Sequence, residues 1–388
     1  MKKAEQILPI NKQIEHLEIK EIYDNLFFYK YHSKYLKKLQ KTNIDKDDPH
    51  YISTYSSLVG ELYENVVYEL LLKYAIENQH ITRFVLKGPH QDNYKNFKNG
   101  MMIDINSQIV YKAGYKDVTE FDALFFTKDS VYFVESTIVK TTTSLRKRLK
   151  KKKALLEILF PKLKIKALII LIKGALGVNV FPNYCTVWTT DPLNDEKLIK
   201  DIVYNLTKQN KTFKYQKDKK LIHTYNVRTR DFKYFDTLSW ILRTVRKECD
   251  EILDFDFLSS NKIERYFDVF SKFYIGHMDT HSFIEVLKFL NIKDISEDIP
   301  MDKIHDNQVV VTIENIKDTF TLVYYLKITG DKLKRLDISD DSLKVSDKDP
   351  KGFTAAEIKY MKYLFKNGYK LSLDDIKTIE GKIEDLDK

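Results

Sequence analysis

Cysteine, proline and glycine are scarce in this chain of 388 residues, which holds two, eight and eleven of them respectively. Two cysteines, Cys185 and Cys249, exclude a disulfide framework and a multi-cysteine zinc site, and their scarcity fits a reducing cytosol. So few glycines and prolines leave little material for extended linkers, which points to long regular elements. No run approaches the ~18 apolar residues of a membrane-spanning helix, and the opening MKKAEQILPINKQIEH lacks the apolar core of a signal peptide. A cytoplasmic protein without a membrane partner is expected. The one glycine-rich stretch of interest, Lys173-Gly174-Ala175-Leu176-Gly177, has neither the spacing nor the Lys-Ser/Thr ending of a phosphate-binding loop.

What the chain does hold is apolar and aromatic: 43% hydrophobic residues, with 25 Tyr and 23 Phe, enough for a globular core and for two domains. The net charge of +9 is concentrated. Between Thr141 and Ala175 stand eleven Lys and Arg against a single acid, Glu157, and the remainder is near neutral. Seven of those cations, Arg146, Lys147, Arg148, Lys150, Lys151, Lys152 and Lys153, fall on one expected helix. An isolated charge run is usually a solvated helix face. Beside a cluster of acids it suits a phosphate backbone instead, so nucleic acid is the expected partner.

The pattern along the chain divides it into a helical extension over residues 1–50, an α/β domain over 51–224 and a mainly helical region over 225–388. In the second part helices are expected from Ser57 to Ile76 and from Ser144 to Phe160. Strands are expected over Ile81 to Leu86, Met101 to Tyr111, Thr119 to Thr127, Ser130 to Val139, Ile165 to Ile172 and Tyr184 to Thr190. This order is mixed α/β. In the third part helices are expected over Phe232 to Leu253, Asn261 to Tyr274, Phe283 to Leu290, Thr354 to Phe365 and Leu373 to Leu386. A hairpin is expected over Gln308 to Glu314 and Thr319 to Ile328, and an acidic linker over Asp337 to Pro350. His277 and His281 have the spacing of helical metal ligands but lack a nearby zincin glutamate, so a polar surface or helix start is the better expectation. Tyr184 and Trp188 read as core residues before base-stacking ones.

The hairpin carries the chemistry. With Lys128-Asp129 as its turn, Asp122 faces Glu135, and Leu124, Phe126, Val131 and Phe133 share the face of the acids. Phe121, Ala123, Phe125, Tyr132 and Val134 line the other face, so the hairpin is expected to be buried on both sides. Two opposed carboxylates there need a proton, a cation or a divalent metal. A third acid comes from the preceding helix. Glu64 lies at the border of its apolar face, Glu61 points to solvent, and Glu69 on the other border is a spare candidate.

The order of elements, with Gly60-Glu61-Leu62-Tyr63-Glu64, the run Phe121 to Phe126 and the run Phe133 to Thr137, resembles the PD-(D/E)XK nuclease superfamily over roughly Ser57 to Ile172. The resemblance implies a restriction-endonuclease-like mixed sheet flanked by helices. It further implies Mg²⁺ or Mn²⁺ on Asp122, Glu135 and Glu64, and hydrolysis of DNA or RNA phosphodiesters. The family's lysine stands two residues after the second acid, where this chain has Thr137. Lys140 is one replacement, though strand alternation turns it to the other face. On the next helix Arg148 and Lys152 border the buried stripe marked by Leu145, Leu149 and Leu156, with Arg148 in the first turns the better placed. Two alternatives stand beside the nuclease: a degenerate fold that binds nucleic acid without cutting, and a ligand-regulated nuclease of the kind found in prokaryotic defence. A homodimer is compatible with each.

Overall fold

The computed structural model describes residues 8–9, most of 19–230, and parts of the remainder, namely 268–269, 272–297, 299, 309–316, 319–329, 332–339, 341–346 and 370–386. Short gaps within 19–230 fall at 43, 92–96, 114–115, 144, 179–180, 194–195 and 205–210. The chain divides into two compact units, Met1–Phe232 and Lys233–Lys388. Both mix helices with sheets, an α+β architecture.

In the first unit, β1 (Leu8–Pro9) precedes helices α1 (Ile19–Leu26), α2 (Ser33–Lys41) and α3 (Pro49–Glu77). Helix α3 begins eight residues before the apolar pattern suggests, because Asp48 caps it by accepting from the His50 and Tyr51 amides and Pro49 occupies its first turn. Its far end is closed by the Lys220 ammonium, which donates to the carbonyls of Ala75, Ile76 and Asn78. The helix is apolar over much of its circumference because it is covered twice. Leu58, Leu62 and Val66 meet the short helices, while Tyr63, Val67 and Leu71 pack on the sheet.

That sheet runs through β2 (Arg83–Val85), β6 (Ala123–Phe126), β7 (Ser130–Thr137), β8 (Lys164–Ile172) and β9 (Cys185–Thr190), extended at its ends by β1 and by β10 (Leu221–Ile222). β6 runs antiparallel to both of its neighbours, β2 and β7, and β8 and β9 continue parallel to β7. Helix α4 (Leu145–Leu159) makes the crossover from β7 to β8, and α5 (Glu196–Tyr204) follows β9. The β6–β7 hairpin has the expected register, Ala123 opposite Val134 and Leu124 opposite Phe133, closed by the Thr127 amide on the Ser130 carbonyl.

Two expectations fail here. The segment over Met101 to Tyr111 is a pair of strands, β3 (Gly100–Ile103) and β4 (Ile109–Ala113), joined by a turn in which Asp104 accepts from the amides of Asn106 and Gln108. The run Thr119 to Thr127 is broken at Asp122. β5 (Lys116–Phe121) pairs with β4 in a separate three-stranded sheet, and only β6 joins the large one. The break also moves Phe121, whose ring sits 6.3 Å from Phe133 on the face of the acids.

The second unit is not mainly helical over its described residues. A six-stranded sheet is built from β11 (Lys272–Met278), β12 (Asp294–Ile295), β13 (Val309–Ile316), β14 (Thr319–Thr329), β15 (Lys332–Ser339) and β16 (Ser342–Val345). The β13–β14 hairpin matches the expected one, as do helices α6 (Thr280–Phe289) and α7 (Leu373–Leu386). Residues read as the end of a helix, Lys272 to Tyr274, and as linker, Asp337 to Ser339 and Ser342 to Val345, are strands instead. The helices expected over 232–253 and 354–365 lie outside the described residues. His277 is on β11 and His281 on α6, so they do not share a helix face, and His281 pairs with Glu285 at 3.5 Å.

Candidate active site

Glu135 is wholly buried on β7 and is met by two cations from α4. The Lys152 ammonium pairs with its Oε1, and the Arg148 guanidinium donates to Oε2 at 2.5 Å. The α4 sequence produces this directly: Leu145, Leu149 and Leu156 face the sheet, and positions 148 and 152 lie one helical turn apart beside that stripe. Lys152 has a 3% exposed side chain and lies 5.6 Å from the Phe121 ring, whereas Arg148 remains 54% exposed. Lys152 is therefore the enclosed cation and Arg148 the one that reaches solvent.

Asp122 occupies the bend between β5 and β6. Its Oδ2 accepts from the Ser136 amide at 2.7 Å and from the Ser136 hydroxyl at 3.0 Å. The side chain thus takes the donor that a continued β6 backbone would have used, which is why the strand ends there. Oδ1 takes no hydrogen bond from a described residue. Glu64, on α3, faces Asp122 and is without a hydrogen bond among the described residues. Burial first, and then the Asp122 charge, push its carboxyl up to about 8.

Lys87, directly after β2, is the site residue the sequence pattern did not signal. It is fully buried, its ammonium donates to Gln108 Oε1 at 2.8 Å, and it lies 5.1 Å from the Tyr68 ring. Burial draws its pKa below the usual amine value, against the opposing pull of Asp122, Glu64, Glu120 and Asp104. Lys152 is lowered in the same way by burial, opposed by Asp122, Glu120 and Glu64. A hydrophobic strand followed by a lone lysine at a turn was the only local trace of Lys87. Its contact with Gln108 depends on the inserted three-stranded sheet.

The remaining candidates separate. Lys140 is exposed beyond the end of β7. Arg146, Lys147 and Lys150 are exposed along α4, Lys151 and Lys153 are half-buried, and Lys153 pairs with Glu157 at 2.6 Å. Glu61 is not a free solvent acid, since it accepts from the His32 amide at 2.9 Å and contacts His32 Nδ1 at 2.7 Å. Glu69 belongs to a different network, bonded to Tyr29, Asn25 and His90.

Among the described residues no three His, Cys, Asp or Glu side chains are grouped as a metal cage. The donor set of Asp122 and Glu64 nevertheless suits a hard cation held by one or two carboxylates and by substrate oxygens, because among the described residues Asp122 Oδ1 and both Glu64 oxygens lack a hydrogen-bond partner and the two charges repel. No helix among the described residues is long and apolar enough to cross a membrane. Comparison with protein-family models, curated proteins and solved structures gives no match for this chain.

Proposed function

We propose that the first unit is a metal-dependent nuclease of the PD-(D/E)XK type acting on DNA or RNA. The observation that carries the reading is the convergence of Glu64, Asp122 and the Glu135–Lys152 pair from α3, the β6–β7 hairpin and α4, with Lys87 among them. The helix, three antiparallel strands, helix, parallel strand order of α3, β2, β6, β7, α4 and β8 supports it.

Asp122 and Glu64 would hold Mg²⁺ or Mn²⁺. Such an ion supplies polarisation of the phosphodiester and a more acidic water. Lys87, a fully buried cation beside these acids, would orient the attacking water and offset their charge. Lys152 and Arg148 would hold the Glu135 carboxylate in place. Arg148, half outside, would clamp a phosphate and cannot serve as a base, because its guanidinium stays protonated. Arg146, Lys147 and Lys150 would follow the nucleic-acid backbone.

One observation favours a second reading. Glu135 is already neutralised by two cations, which suits a fold that grips nucleic acid without cutting it. A single assay separates the two. Purified full-length chain with Mg²⁺ or Mn²⁺ should cleave a panel of DNA and RNA substrates, and Asp122→Ala and Lys87→Ala should each abolish cleavage while leaving binding. Binding without cleavage in the unmodified chain would leave the binding reading standing. Cleavage that persists in Asp122→Ala would overturn the proposed site.

A further inference from the structure

The short turn after β2 carries two buried ionisable residues that serve different places. Lys87 faces the carboxylates, whereas His90, three positions on, is 4% exposed and lies against Glu69. Glu69 is fully buried, and its carboxylate takes His90 Nε2 at 2.7 Å, the Tyr29 hydroxyl at 2.8 Å and the Asn25 amide at 3.1 Å. No lysine or arginine among the described residues pairs with it. A buried carboxylate requires hydrogen-bond partners, and these three side chains surround it. The same contact fixes the ring, with Nε2 turned to Glu69 and Nδ1 buried without a hydrogen bond among the described residues.

His90 also lines a cavity of about 550 Å³, within the ~300–1,000 Å³ range of small-molecule sites. The rest of its wall includes two kinds of surface beside the polar Gln216 and His223. Leu86, Leu221 and the 65% exposed Tyr215 offer apolar and aromatic surface, and Lys217 and Lys219 bring positive charge. The one acid, Asp218, is engaged by the Lys220 amide at 2.8 Å. The Tyr215 ring is set by an edge contact with Phe213 at 4.6 Å, and Phe213 in turn packs on His90 at 4.8 Å. Positive charge together with a flat, partly apolar surface describes a ligand with an anionic group joined to a planar ring.

We infer that this cavity is a second binding site, for a nucleoside monophosphate. The phosphate is held by Lys217 and Lys219, and the His90 ring backs the site through its packing on Phe213. The base lies on Tyr215 and the two leucines. The site is separate from the carboxylate cluster and does not rest on the nuclease reading.

Calorimetric titration of the full-length chain at low salt with AMP, inorganic phosphate and adenosine tests this. AMP should bind saturably, one per chain, and both phosphate and adenosine at least about tenfold more weakly, since each carries one half of the recognition. The surface variant Lys217→Glu/Lys219→Glu should weaken AMP by at least about tenfold, Tyr215→Ala and His90→Gln should weaken it as well, and Asp122→Ala should leave it unchanged. The charge-reversed pair keeps the test valid if His90→Gln fails to fold. No saturation by AMP at millimolar concentration, binding indifferent to the lysine pair, phosphate binding as tightly as AMP, or loss of binding in Asp122→Ala would each overturn the inference.

Discussion

Lys152 and Glu135 form an ion pair between α4 and β7 in which the two side chains are 3% and 1% exposed. Removing Glu135 strands the Lys152 charge in the interior, which typically costs ~3–5 kcal/mol, whereas removing Lys152 leaves Glu135 with Arg148. Glu135→Leu is expected to lower stability by that order in urea unfolding. The double variant Lys152→Met/Glu135→Leu should recover much of the loss. A single variant that unfolds like the unmodified protein would show that the pair is solvated.

Arg148 shares Glu135 but stands half outside, so its part is different. Arg148→Ala should change stability by less than about 1 kcal/mol, as for exposed ion pairs. Nucleic-acid affinity should fall, and the slope of log affinity against log salt should shrink by roughly one phosphate contact. Filter binding across a salt series reads this directly, and an unchanged slope would remove Arg148 from the interface.

Ser136 holds Asp122 through both its amide and its hydroxyl. Ser136→Ala removes only the hydroxyl bond, so a destabilisation of about 1 kcal/mol is expected. Any cleavage activity should fall less in Ser136→Ala than in Asp122→Ala, since the amide still positions the carboxylate. Equal losses in the two variants would assign the hydroxyl itself a part in the chemistry.

The Glu64 carboxyl is pushed up to about 8, above the range it has in an unfolded chain. The folded protein therefore binds a proton that the unfolded chain has already released. The Glu64 contribution to stability is present at acidic pH and is lost as pH rises through about 8. Glu64→Gln should flatten this decline when stability is compared between pH 6 and pH 9. Mg²⁺ affinity should move the opposite way, rising with pH as Glu64 ionises, because ligands must be deprotonated to bind. Metal affinity that is independent of pH over this range would exclude Glu64 as a ligand.

Gly88 has a φ of +59°, and a Cβ built there would meet the Tyr29 ring at 2.4 Å. Gly88→Ala combines a left-handed backbone with a clash, so a loss of ~1–3 kcal/mol is expected in thermal or urea melts. Because the turn carries both Lys87 and His90, AMP binding and cleavage should decline together in this variant.

Much of the first unit was legible in its sequence. The β6–β7 turn and register follow from alternation over a few residues, and α4, β8 and β9 are bounded by breakers close in the chain. The candidate acids Glu64, Asp122 and Glu135 could be named because each lies within or beside such an element. The break at Asp122 could not be seen, since Phe121 and Ala123 are both strand-forming and what ends the strand is a bond to Ser136 across the hairpin. The second unit misled for a related reason. Lys272 to Tyr274, Asp337 to Ser339 and Ser342 to Val345 carry mixed polar and apolar residues whose period is ambiguous, and the pairing of β11 with β13, of β15 with β16 and of β16 with β12 decides their conformation.

By itself the sequence determined where the hairpin turns, which of its faces is apolar, and that a basic helix follows it, since these depend on neighbours a few positions away. Only the tertiary structure decided which charges meet. Lys87 comes to the acids from β2 through an inserted sheet, Lys152 is drawn inward while Lys147 stays outside, and Glu69 is claimed by His90. Those pairings are set by the packing of α3 and α4 on opposite faces of one sheet, and the energy of burying a charge depends on that enclosure.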